Sequence, residues 1–197
     1  NPSKIRVAII DDHPVVIGGI KTIIDTTDDI TVEATFQTSD AFFQARDLPQ
    51  LDVVIVDLEL QGSSIKGPDA IRRIRELYPH LKTIALTAHS EEGYVVETLK
   101  AGVHGYLVKN STMSHIVETI RAIMHRSPII DPSVWGIVTT YMNTLGLRGY
   151  EQQNPRLART SMSSDTTGLS RREWSMLERV ALGETDQEIA KHFCISV

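Results

Sequence analysis

Two periodicities alternate along the first two thirds of this chain, and that alternation constrains the fold more than any other feature. Short runs rich in β-branched residues recur at "IRVAII" (5–10), "ITVEATF" (30–36), "DVVIVD" (52–57), "KTIALTA" (82–88) and "GYLVK" (105–109). Between them apolar residues return at helical spacing: Ile17, Ile20 and Ile24; Ile71, Ile74 and Leu77; Val95, Val96 and Leu99; then Met113, Ile116, Val117, Ile120, Ile123 and Met124. The first pattern fits strands, the second fits helices with one buried stripe. Five strands alternating with five helices read as βα units around a parallel sheet. Strands that are apolar almost throughout fit a sheet covered on both faces.

A length of 197 residues with 41% hydrophobic content provides for one or two domains and at least one real core. The net charge of −5 excludes bulk attraction to polyanions. Cys194, the single cysteine, permits no internal disulfide and reads as a small buried hydrophobe in a reducing compartment. No apolar run approaches the ~20 residues of a membrane helix. No stretch of signal-peptide length precedes Asp11, so a cytoplasmic location away from membranes is expected.

The character changes after Ser127. "SPIIDPSVWGIVTTYMN" has a Pro-bounded start, and a helix is expected near 133–142. The Gly-, Ser-, Thr- and Asn-rich stretch that follows has no apolar period, so 128–168 reads as a linker. Order returns at Leu169. Ser170 with Glu173, and Thr185 with Glu188, stand in capping-box spacing. Two capped helices, 171–182 and 186–193, joined by a turn at Gly183, make 169–197 a helix-turn-helix candidate.

In an open parallel α/β sheet, function gathers at the carboxyl ends of the strands. Here the first strand delivers Asp11 and Asp12, the third Asp57, the fourth Thr87 and the fifth Lys109. Clustered carboxylates without a cation push at least one pKa up, and a hard divalent cation such as Mg²⁺ removes the strain. Lys109 adds a point charge suited to a phosphate oxygen, and Thr87 one hydroxyl donor. Together they read as an electrostatic cradle for a phosphoryl group beside a metal. Blander roles stand beside this one: Asp11 and Asp12 as helix caps, Thr87 and Lys109 as solvated strand ends, Tyr106 as a core aromatic. His13, followed by Pro14, reads as a helix-start packing residue rather than a metal ligand. Trp135 and Trp174 read as packing anchors.

The motifs "DDHPVV", "VVIVDLEL", "IALTAH" and "AGVHGYLVK", in this order, resemble the receiver domain of two-component response regulators. The resemblance covers residues 1–127 and implies a five-stranded, doubly wound, flavodoxin-like (CheY-like) fold. It implies that Asp57 accepts a phosphoryl group from a cognate sensor histidine kinase. Asp12 would bind Mg²⁺ directly, Asp11 through water, and the Glu59 backbone carbonyl would complete the protein's share. Lys109 and Thr87 would contact the phosphoryl oxygens, and Tyr106 would rotate as Thr87 moves. That motion would bias the surface of the fourth helix, fifth strand and fifth helix, with a phosphorylation-dependent homodimer as one outcome. Gln61 stands where many receivers carry Pro, "QGSSIKG" is a long polar loop beside the acceptor, and Gly18-Gly19 weaken the first helix. Glu59 and His89 flank the acceptor and Thr87, placed to steer attacking water.

"LSRREWSMLERVALGETDQEIAKHFCISV" resembles the start of the LuxR/NarL-type DNA-binding domain. In that family the next helix enters the major groove, and the chain stops at Val197. The recognition helix is therefore expected to be absent from this chain, with DNA read by a longer parent. Only weak phosphate contacts are expected, from Arg171, Arg172 and Lys191. Counting Lys and Arg against Asp and Glu leaves −4 on residues 1–127 and −1 on 128–197, which agrees with the absence of a basic DNA-reading surface.

The expected function is a phospho-switched transcriptional regulator, catalytic only in its own phosphorylation and dephosphorylation. Two alternatives are an Asp-nucleophile phosphatase or phosphotransferase, with Glu59 as the second acid, and an adaptor that signals by protein contact alone.

Overall fold

The computed structural model describes residues 4–46, 48, 50–88, 90–109, 115–125 and 129–144, and single helical positions at Ser175, Arg179 and Glu188. Successive side chains along its central strands point to alternate faces of the sheet, and nearly all are buried. Val7, Ile9, Val53, Ile55, Ile84, Leu86 and Leu107 face one way; Ala8, Ile10, Val54, Val56, Ala85, Tyr106 and Val108 face the other. Both sets are buried, because helices cover both faces. Strands β1 (Ile5–Ile10), β2 (Ile30–Phe36), β3 (Val53–Asp57), β4 (Lys82–Thr87) and β5 (Gly105–Val108) alternate with helices α1 (Pro14–Ile24), α2 (Ser39–Gln44), α3 (Pro68–Leu77), α4 (Glu92–Lys100) and α5 (His115–Met124). The strand order β2-β1-β3-β4-β5 is all parallel and doubly wound, as expected.

One core lies under α1 and α5 through Ile20, Ile24, Ile116, Ile120 and Ile123; the other lies under α2, α3 and α4 through Phe42, Ile71, Ile74, Val95 and Leu99. Pro14 and Pro68 begin α1 and α3, where the missing N–H costs nothing. Gly18 and Gly19 do not break α1, whose Ile20 and Ile24 are fully buried. The Arg6 guanidinium grips the Asp52 carboxylate through two bonds of 3.0 Å, locking β1 to the start of β3.

The sheet also holds a strand that periodicity did not reveal. β6 (Ile129–Ile130) pairs parallel with β5, so among the described residues the sheet has six strands rather than five. Two residues carry no readable period. Asp131, 2% exposed, fixes this edge. Its N–H donates to the Tyr106 carbonyl at 2.8 Å, while its carboxylate accepts from the Val108 N–H at 3.2 Å and the Ser133 N–H at 3.0 Å. A 3-10 turn (Pro132–Val134) then leads into α6 (Trp135–Thr144), close to the helix expected near 133–142. Val134 and Val138 are fully buried in the core shared with α4, and the Lys100 ammonium sits 5.2 Å from the centre of the Tyr141 ring. Asp131→Ala strands the Val108 and Ser133 donors and is expected to cost about 2 kcal/mol in urea unfolding, with loss of α6 protection from hydrogen exchange.

His104 precedes β5, and its Nδ1 accepts the Thr83 N–H at 3.2 Å. Burial, with Lys82 and Arg75 nearby, lowers its pKa to about 4. The unfolded chain binds this proton near pH 6.5 and the folded chain does not, so stability is full at pH 7 and falls as pH drops toward 4. A loss of about 2 kcal/mol between pH 7 and pH 5 is expected from this group, and His104→Gln should remove it from the urea-unfolding profile.

The stretch 145–168, and Arg171, Arg172, Trp174, Lys191, Cys194 and His89, lie outside the described residues, as do the helices expected at 171–182 and 186–193 apart from the single positions Ser175, Arg179 and Glu188. Among the described residues no helix is long and apolar enough to cross a membrane.

Candidate functional site

Parallel pairing brings four strand ends to one edge. Ile10 pairs with Val56, Asp57 with Leu86, and Thr87 with Val108. The residues that follow these strands, or end them, are those expected: Asp11, Asp12, Asp57, Thr87 and Lys109. Asp57 and Thr87 are fully buried and Asp11 is 1% exposed. The Lys109 ammonium lies 2.6 Å from Asp57 Oδ2 and 3.4 Å from Asp11 Oδ2. The Glu59 N–H donates to Asp57 Oδ1 at 2.9 Å, and the Gln61 N–H donates to Asp12 Oδ2 at 3.1 Å.

Burial raises the Asp57 pKa, and the neighbouring Asp11 charge adds to it; Lys109 and the Glu59 amide pull the other way without cancelling it. Burial alone would lower the Lys109 pKa, but its bonds to Asp57 and Asp11 outweigh that and hold it raised. The pair is thus a cation clamped between two buried acids, with one acid still short of compensation. Asp11 Oδ2 and Asp12 Oδ1 are buried and accept no well-aligned hydrogen bond; their nearest cationic or ring nitrogens are Lys109 Nζ at 3.4 Å and His13 Nδ1 at 3.0 Å. Ligand atoms of Asp11, Asp12, His13 and Asp57 lie within 4.8 Å of one another. Under-compensated carboxylate oxygens at this spacing fit a hard divalent cation.

His13 is where the sequence reading and the structure part. Its Nδ1 stands 3.1 Å from Asp11 Oδ1, 3.0 Å from Asp12 Oδ1 and 3.8 Å from Asp57 Oδ2. It therefore belongs to the acidic cluster as well as starting α1. The signal was its place directly after the acidic pair, on the same strand-end turn. The Glu59 side chain was also under-read: its Oε1 accepts the Ala88 N–H at 2.9 Å, bridging the acceptor loop to the end of β4. Tyr106 is fully buried on β5, on the face shared with α4 and α6. Burial raises the pKa of its phenol, so the group is neutral.

Comparison with known proteins agrees with this geometry. The family model described as response regulator receiver domain matches residues 7–121. The chain is 29% identical over 186 residues to the transcriptional regulatory protein ComA of Bacillus subtilis (strain 168), covering 94% of this chain and 81% of ComA. A two-component response regulator of the LuxR family from Aurantimonas sp. SI85-9A1 superposes with a TM-score of 0.64 at 25% identity, covering 71% of this chain and 98% of that one. A structure of two RcsB dimers bound to two parallel DNAs shares the fold, with a TM-score of 0.63 at 23% identity over 98% of this chain and 85% of RcsB. Asp11, Asp12, Asp57, Thr87 and Lys109 all fall inside the matched span, and by that match the chain belongs to the response regulator receiver domain family.

Proposed function

We propose that this protein is a phosphorylation-activated response regulator of transcription, located in the cytoplasm, with Asp57 as its phosphoryl acceptor. The observation that carries the reading is a buried carboxylate held 2.6 Å from Lys109 beside the unsatisfied Asp11 and Asp12 oxygens. The donor is a phosphohistidine of a sensor kinase or a small acyl phosphate. An Asp57 oxygen attacks phosphorus in line; the new O–P bond forms as the P–N bond to the donor imidazole breaks, and the ring nitrogen keeps the electron pair. Lys109 and the Thr87 hydroxyl turn to the phosphoryl oxygens, which relieves the pressure that burial places on Asp57. Asp12 and Asp57, with Asp11 and the Glu59 carbonyl, would hold a Mg²⁺ ion, which would supply charge neutralisation for the transferring group.

Output follows from the neighbours of Thr87. Movement of Thr87 and Tyr106 reaches α4 and, through β5 and Asp131, α6. That route biases self-association and passes the signal to the segment beyond α6. DNA binding through the full-length C-terminal domain of a longer parent is supported by ComA's designation as a transcriptional regulator and by the DNA-bound RcsB dimers. The phosphatase alternative needs the Glu59 carboxyl at the nucleophile before transfer, and in the unmodified site it is turned to the Ala88 amide. Incubation with acetyl phosphate and Mg²⁺ separates the readings. One phosphoryl group per chain, mapped to Asp57 by mass spectrometry, supports the regulator; steady hydrolysis of p-nitrophenyl phosphate would support the phosphatase.

A further inference from the structure

We propose that the Glu59 side chain is a releasable latch: it holds the Ala88 N–H while Asp57 is unmodified, and yields it to the phosphoryl group by turning toward Lys66. The inference rests on Asp57 being the acceptor. Glu59 touches the site at two points. Its N–H donates to Asp57 Oδ1 and its Oε1 accepts from Ala88, each at 2.9 Å. Ala88 follows Thr87, whose hydroxyl the phosphoryl group recruits, so the latched amide lies next to the groups that must rearrange. A negative oxygen already occupies a donor that an arriving phosphoryl oxygen would use.

Phosphorylation replaces the single charge of the Asp57 carboxylate with roughly −1.5 to −2 on the acyl phosphate, a net gain of about half to one negative charge beside Glu59. Repulsion at a few ångströms in a half-buried site outweighs one charge-assisted hydrogen bond, and the phosphoryl oxygens are strong acceptors for the same amide. The displaced carboxylate has a defined destination. A cavity of about 310 Å³ adjoins it, lined by Leu58, Glu59, Lys66, Gly67, Pro68 and Tyr94. Lys66 is the cation of that lining, and its loop is held in place. The Ser39 hydroxyl donates to the Ile65 carbonyl, the Ser39 N–H to Ser63 Oγ at 3.1 Å, and the Ser64 N–H to Asp40 Oδ2 at 2.6 Å. Gly67 completes the loop at φ 60°, and a Cβ there would stand 2.7 Å from the Tyr94 hydroxyl, so the chain approaches α4 as closely as it can. These bonds hold the segment just before Lys66, whose exposed side chain lines the same cavity as Glu59.

The test is titration of the whole chain with beryllofluoride in Mg²⁺, read by amide NMR. Glu59→Ala is expected to bind the analogue about fivefold tighter than the parent, having no latch to release, with Glu59→Gln in between. Lys66→Ala is expected to bind it severalfold more weakly. The Ala88 amide should differ between parent and Glu59→Ala without the analogue and coincide with it, because the acceptor is then the same. A purely structural role for Glu59 would not produce that convergence. Glu59→Ala binding no tighter than the parent, Lys66→Ala binding as tightly as the parent, or an Ala88 amide still bonded to Glu59 in the loaded parent would each overturn the latch. Binding that survives Asp57→Ala would instead remove Asp57 as the acceptor, and the latch with it.

Discussion

Asp57→Asn will incorporate no phosphoryl group from acetyl phosphate and Mg²⁺, while folding more stably than the parent in metal-free buffer. The loss follows from the chemistry, since an amide offers no anionic oxygen to attack phosphorus. The gain follows from burial. The fully buried carboxylate has a raised pKa because ionising it there is costly and Asp11 repels it. A folded-state pKa above the unfolded one means that stability declines as pH rises from the ordinary carboxylate range through the raised value. That penalty grows as pH rises above the ordinary carboxylate range, and Asn removes it. Lys109 keeps a partner in Asp11, 3.4 Å away, so its charge is not stranded. About 1 kcal/mol of added stability is expected at pH 7, vanishing in acid where both carboxyls are neutral. Label retained in the variant would end the acceptor assignment. Lower stability at pH 7 would show that the Lys109 bond outweighs burial.

Asp12→Ala will weaken Mg²⁺ binding by about a hundredfold or more, beyond the ten- to hundredfold cost of losing a mere supporting partner. Its carboxylate is the member of the trio nearest solvent, with 19% of the side chain exposed. It offers one oxygen inward without a hydrogen bond and anchors the other on the Gln61 amide. Removing it takes away a ligand, a charge and the tie to the acceptor loop together. Calorimetric titration with Mg²⁺ measures the change. Unchanged affinity would move the cation away from Asp12, toward a set built on Asp11 and His13.

The strand ends were legible because near-continuous apolar, β-branched runs and βα alternation are local patterns, and parallel topology then forces their carboxyl ends together. Asp11, Asp12, Asp57, Thr87 and Lys109 needed no more than that. His13 does start α1, as Pro14 signals, but its contact with the acidic cluster was not legible, because ring orientation is decided by three carboxylates drawn from two strands. The Glu59–Ala88 bond joins residues 29 apart, and no spacing rule links them. β6 escaped because its two residues acquire meaning only from the β5 edge they complete and from Asp131 behind them.

That same edge decides where the first domain can be excised. A recombinant fragment cut at residue 127 would lose β6, Asp131 and α6 together. The far side of β5 would then present the Tyr106 carbonyl and the Val108 N–H without the partners they have here. It would also uncover the apolar surface on which Val134 and Val138 sit. A bare strand edge beside exposed apolar surface is a template for pairing with another chain. Such a fragment would be prone to aggregate, and any self-association measured on it would report the cut rather than the switch. The unit to express runs past the end of α6 at Thr144.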